Sequence, residues 1–266
     1  MSFSIEGKTA IVTGAANGVG QAIARHFANQ GANVMLADMD EASLTKECER
    51  VEEDGNIKYF AGDLRERLTM ANLLSATLDA YDRVDILVNG SRQVLSSDPL
   101  DPEDETLEVM LQQNLTNAFR LSQMVAKRMI KQSEGQTEGQ VGAIVNLSSI
   151  AARRTHPNLL AYSVSCAALD QMTRSMAVAL APNRIRVNAL AFGSVMSASL
   201  KDVLKDNRDY RGLIEAHTPL GRIAAPRELT ETVQFLASDA AGFITGQVMT
   251  VDGGRTLLDP VAAPVH

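Results

Sequence analysis

The chain has 266 residues, of which 45% are apolar, 21% charged and 4% aromatic, a balance that suits one large globular α/β domain. With 25 Lys and Arg against 32 Asp and Glu, the formal net charge is -7, so the basic footprint of a nucleic-acid binder is missing. No run of about 18 apolar residues is present to span a bilayer, and the opening MSFSIEGKTAIVTG lacks the basic and long apolar regions of a secretory signal. Cys48 and Cys166 stand far apart, with neither a C-x-x-C pair nor a Cys/His cluster around them. A soluble cytoplasmic protein with reduced thiols and no metal site is expected.

Thr9 to Val12 is a short apolar run with strand character. It leads through Gly14-Ala15-Ala16-Asn17-Gly18-Val19-Gly20 into residues of helical spacing at Ala22, Ile23, His26 and Phe27. The alternation then repeats. Val34 to Ala37, Ile57 to Phe60 and Ile86 to Val88 read as strands, while Glu41 to Val51 and Leu68 to Tyr81 read as helices. A long helix from about Leu107 to Lys131 is followed by the wholly polar Gln132 to Gln140, a solvated loop. Strands at Gly142 to Leu147, Ile185 to Leu190 and Gly246 to Val251 surround a helix from Leu159 to Leu180. Strands alternating with helices predict a parallel sheet covered on both faces. Without a repeat or linker, residues 1–266 form one doubly wound α/β Rossmann domain.

The first strand-to-helix turn carries the chemistry of a phosphate site. Its glycines let backbone amides approach a pyrophosphate, and the helix that follows turns its positive end toward the anion. A tight turn without a ligand would look alike. Asp38 closes the second strand, where a carboxylate accepts hydrogen bonds from ribose hydroxyls and repels a 2′-phosphate. That selects NAD over NADP, because Ala37-Asp38-Met39-Asp40 offers no neighbouring cation. An exposed acidic cap on the next helix is the other reading.

These features resemble the short-chain dehydrogenase/reductase family along nearly the whole chain. Thr13 to Gly20 matches its T-G-x-x-x-G-x-G turn, Asp63-Leu64 its adenine-contacting pair, and Thr250-Val251-Asp252-Gly253-Gly254 the stretch that closes its fold. The resemblance implies an NAD-dependent oxidoreductase acting on a small secondary alcohol or ketone. It also implies cofactor contacts from Gly14, Asn17, Gly18, Val19, Gly20, Asp38, Met39, Asp63, Leu64, Asn89, Gly90, Tyr162, Val195 and Ser197. Hydride exchange at a carbonyl needs a proton donor and a second hydrogen bond on the oxygen. By resemblance, Tyr162 is the acid/base, Ser149 its partner and Asn114 the support of a proton relay. A substrate flap at about 194–219 and a homotetramer or homodimer, built on the helices Leu107 to Lys131 and Leu159 to Leu180, complete the analogy.

One departure is chemical. The family's Tyr-x-x-x-Lys is here Tyr162-Ser163-Val164-Ser165-Cys166, so the lysine position, on the tyrosine's own helix face, holds a cysteine. Cys166 supplies no cation to favour the tyrosinate, which penalises alcohol oxidation more than ketone reduction. In helical company with Val164, Ala167 and Leu169 it reads as a packed hydrophobe rather than a nucleophile. The N-N-A-G turn is Asn89-Gly90-Ser91-Arg92, the P-G dipeptide is Phe192-Gly193, Ser197 stands where threonine is usual, and Arg153-Arg154 fill a stretch usually small. A compensating cation from Arg92, Arg153 or Arg154 is one expectation. A non-catalytic NAD-binding regulator or subunit is the alternative.

Overall fold

The computed structural model describes residues 2–49 and 55–259. Seven strands, β1 (Thr9–Thr13), β2 (Asn33–Asp38), β3 (Ile57–Ala61), β4 (Ile86–Asn89), β5 (Gly142–Ser149), β6 (Ile185–Phe192) and β7 (Val248–Val251), form one sheet in the order 3-2-1-4-5-6-7. Every pairing is parallel. The order reverses direction between β1 and β4, which opens a crevice beyond the C-terminal strand ends at that point.

The first half of the chain supplies α1 (Gly18–Asn29), α2 (Glu41–Glu49), α3 (Arg67–Tyr81), α4 (Thr106–Leu111) and α5 (Asn117–Gln132). The expected end of the second helix at Val51 lies outside the described residues. Helix α6 (Leu160–Leu180) precedes β6, and α7 (Ala198–Asp206), α8 (Arg208–Ala216) and α9 (Arg227–Ala237) follow it. Two apolar layers flank the sheet. Phe27 of α1 packs with Val12, Leu36, Val88 and α9's Leu229, Val233 and Leu236. On the opposite face, Met70 and Leu73 of α3 and Val125 and Met129 of α5 pack against Ile11, Leu87 and Ile144. Alternate residues of β1 therefore serve opposite layers, as a strand buried on both faces requires.

The structure differs from the sequence reading at three places, the first of which bears on the site. The region expected as one helix from Leu107 to Lys131 is α4 and α5 joined by a π-helical turn, Gln112–Thr116, with Asn114 inside it. Periodicity alone does not register one extra residue in a turn. Helix α9 lies beyond the elements read from the sequence, although its Leu229, Val233 and Leu236 share one face and are fully buried. The polar loop is also tied to the body, because Gln140 Oε1 accepts hydrogen bonds from the Arg186 guanidinium at 2.9 and 3.0 Å.

Candidate active site

The crevice is a cleft of about 850 Å³ running from Asp38 and Met39 across the glycine turn to Arg92 and Phe192. Its floor is set by close backbone contacts. At Gly14, with φ +68°, an added Cβ would lie 2.5 Å from the Gly90 oxygen, and at Gly20 one would lie 2.1 Å from the Gly14 oxygen. Neither position accepts a side chain. Thr13 fastens the two halves, since its Oγ1 accepts from the backbone N–H groups of Gly90 at 3.0 Å and Ser91 at 3.1 Å. Gly18, also at positive φ, has only the Ser197 Cβ nearby, at 3.7 Å, and so leaves room above the first turn of α1.

At the β2 end, Asp38 accepts from the N–H of Ala16 in the glycine turn at 3.1 Å and from that of Met39 at 2.7 Å. Its carboxylate is thereby fixed at the rim. The fold brings a cation to that rim which the local sequence does not show: Arg65 lines the cleft, held by Asp63 through hydrogen bonds of 2.6 to 3.0 Å. Pairing with Arg65 holds the Asp63 carboxyl below its usual range. Leu64 and Asn89, expected at the cofactor, point their side chains elsewhere. Leu64 belongs to the core layer on the α3 side. The Asn89 amide donates to Ser122 Oγ at 2.9 Å and Asn146 Oδ1 at 2.8 Å, tying β4 to α5 and β5. Val195 and Ser197 line the cleft, and Ser197 Oγ caps α7 by accepting from the Leu200 N–H at 3.2 Å.

The glycine turn, the start of α1 and Asp38 fit the adenosine diphosphate half of a nicotinamide dinucleotide. The N–H groups of Ala15 and Ala16 are held by β2, and those beyond them at the start of α1 would meet an anion over Gly18, with the carboxylate one strand spacing away.

At the other end, the register sets Ser149 opposite Phe192, and Tyr162 of α6 meets Arg92, which lies over Phe192. Tyr162 is only 5% exposed. Its hydroxyl accepts a hydrogen bond from Arg92 Nη1 at 2.9 Å, and Ser149, whose Oγ accepts from the Ala151 N–H at 3.2 Å, lies near enough to act on it. Burial pushes the phenol above its ordinary range, while the Arg92 charge and Ser149 act in the opposite sense. Ser148 is engaged away from it, donating to Asp170 Oδ1 at 2.6 Å. Cys166 lies one helical turn beyond Tyr162, within the same small cluster as Met110, Ala151 and Ala161. Burial raises its thiol to about 11, so it stays protonated and is no nucleophile at neutral pH.

Asn114 does not face the tyrosine directly. Its Oδ1 accepts from the Gln93 N–H at 2.8 Å, and its Nδ2 donates to the Gln93 carbonyl at 3.0 Å and to Ser165 Oγ at 3.1 Å. Of the three arginines considered from sequence, Arg92 alone reaches Tyr162. Arg153 donates to Thr250 Oγ1 at 3.3 Å and Arg154 to the Thr256 carbonyl. The Arg92 guanidinium carbon also lies over Phe192, 4.3 Å from the ring centroid.

The doubly wound fold and its crevice define a nucleotide-binding class of protein, and comparison makes this specific. Residues 14–256 match the family model described as enoyl-(acyl carrier protein) reductase. The chain is 32% identical over 256 residues to the 3-oxoacyl-(acyl-carrier-protein) reductase of Thermotoga maritima, covering 95% of this chain and 99% of that one. It is 31% identical over 254 residues to the 7α-hydroxysteroid dehydrogenase of Escherichia coli K12, covering 95% and 96%. A solved structure of 7α-hydroxysteroid dehydrogenase, complexed with NADH and 7-oxo glycochenodeoxycholic acid, superposes with a TM-score of 0.88 at 30% identity, covering 95% and 96%. The chain belongs to the short-chain dehydrogenase/reductase family.

Proposed function

We propose that the protein is an NAD-dependent oxidoreductase exchanging a hydride between a nicotinamide and a small secondary alcohol or ketone, with chemistry altered by the loss of the family lysine at Cys166. The observation that carries this reading is the Tyr162 hydroxyl, held by a hydrogen bond from Arg92, which itself lines the cleft whose other end is the glycine turn and Asp38. A bound nicotinamide supplies or accepts the hydride. Tyr162 then gives a proton to the carbonyl oxygen in reduction or takes one from the alcohol in oxidation, and Ser149 orients that oxygen. Asp38 at the ribose end favours NAD over NADP. The helical segment 194–219, containing α7 and α8, closes over the substrate.

Purified protein titrated with NADH and NADPH, then assayed on a panel of ketones and alcohols, tests the proposal. Tighter NADH binding with turnover of at least one ketone is expected. Absence of binding to either dinucleotide would overturn the cofactor assignment. The second reading, a dinucleotide-binding regulator or subunit, is favoured by Cys166 in the place of the family lysine; it requires NADH binding without turnover. Apolar side chains left exposed on α5 and α6, Phe119, Val164 and Val178, fit the homodimer or homotetramer that the family resemblance implies.

A further inference from the structure

The Tyr162 hydroxyl needs a positive neighbour if its proton is to leave, and the position one turn along its own helix offers a neutral thiol. The charge comes instead from across the crevice, on the loop after β4. We propose that Arg92 is the cation of the Tyr162 acid/base, filling from the β4 loop the role that the family's lysine fills from the position of Cys166. This rests on the hydride-transfer reading above.

Three features hold the guanidinium there. Its backbone is anchored on both sides: Gly90 and Ser91 give their N–H groups to Thr13 Oγ1, and the Asn114 amide clamps both the N–H and the carbonyl of Gln93. Its Cζ lies over the Phe192 ring, at the position where the family carries proline. Among the described residues no carboxylate forms an ion pair with it, so its charge is not already neutralised. Arg remains protonated wherever tyrosine titrates, and its several N–H donors allow one to hold the hydroxyl while others face the cleft. In oxidation the alcohol proton passes to the tyrosinate oxygen as the hydride leaves carbon for the nicotinamide, and Arg92 stabilises the tyrosinate before transfer. In reduction the same proton goes to the carbonyl oxygen. Asn114 is then a positioning residue, holding the peptide that follows Arg92. The substitutions at the two positions are linked in space, since a lysine at position 166 and an arginine at 92 would crowd two cations on one hydroxyl.

Ultraviolet difference titration of the protein against Tyr162→Phe, with no dinucleotide present, reads the Tyr162 ionisation directly. Arg92→Ala should lower the tyrosinate fraction at a given alkaline pH by about tenfold or more, corresponding to a rise of one unit or more in the midpoint. Arg92→Lys should preserve most of the native titration, and Arg92→Ala combined with Cys166→Lys should restore it. In turnover, Arg92→Ala should displace the pH profile of alcohol oxidation to higher pH, a change that a merely structural role would not produce. An unaltered titration in Arg92→Ala overturns the proposal. So does higher turnover in Arg92→Ala than in the native chain, which would make Arg92 an obstruction over Tyr162. Because the titration needs no dinucleotide, it separates failure of this assignment from failure of NAD binding.

Discussion

The balance at Tyr162 sets the direction in which the site works with least difficulty. Burial favours the neutral phenol and outweighs the opposing pull of Arg92 and Ser149. Near neutral pH the hydroxyl is therefore ready to donate, and ketone reduction draws on the predominant form. Alcohol oxidation draws on the minor tyrosinate, whose population rises about tenfold per pH unit below its midpoint. Initial rates should accordingly be flat with pH for reduction between neutral and mildly alkaline conditions and climb steadily for oxidation; parallel profiles in both directions would contradict this. At the other end of the cleft, Asp38→Ala removes the charge that opposes a 2′-phosphate. NADPH affinity should rise relative to NADH by about tenfold or more, worth about 1.4 kcal/mol, measured by calorimetric titration of both dinucleotides. The nearby Arg65 is committed to Asp63, so it does little to offset Asp38 in the native chain.

At the scale of elements, the π-helical turn Gln112–Thr116 is what carries Asn114 into contact with the β4 loop. One extra residue in the turn rotates the helix face, and π-bulges of this kind gather at functional sites. Asn114→Ala would strip partners from the N–H and carbonyl of Gln93. Gln93 is exposed, so water can take the place of those partners and each lost hydrogen bond costs about 0.5–1.5 kcal/mol; thermal unfolding should show a modestly lower Tm than that of the native chain. The same variant should reduce turnover through loosening of Arg92. The sequence displayed the strands and the glycine turn because periodicity and glycine requirements are local, whereas Ser149 and Tyr162 were marked only by their resemblance to the family motif. It did not display the π turn, because Leu107 to Lys131 keeps its helical alternation on either side.

For the whole molecule, the exposed Phe119, Val164 and Val178 lie on two long helices whose inner faces already serve the core. A second copy is the occupant that the family resemblance supplies for this surface. Sedimentation should return a dimer or tetramer for the native chain and a smaller species for Phe119→Asp with Val164→Asp. A native monomer would contradict this expectation. The alternation of strands and helices and the glycine turn were legible because both are set by local patterns of fixed period, and Tyr162, Ser149 and Asp38 were marked by their match to the family's motifs; the strand order and the switch point between β1 and β4 come from pairings distant in sequence. Which arginine stands on Tyr162 was decided only by the tertiary structure. Arg92, Arg153 and Arg154 are equivalent as charges along the chain, and only the parallel order of β4, β5 and β6 sets the β4 loop and Phe192 on either side of that hydroxyl. The sequence marked the missing lysine through a local spacing on one helix, whereas the cation in its place comes from a different strand and is visible only once the sheet is assembled.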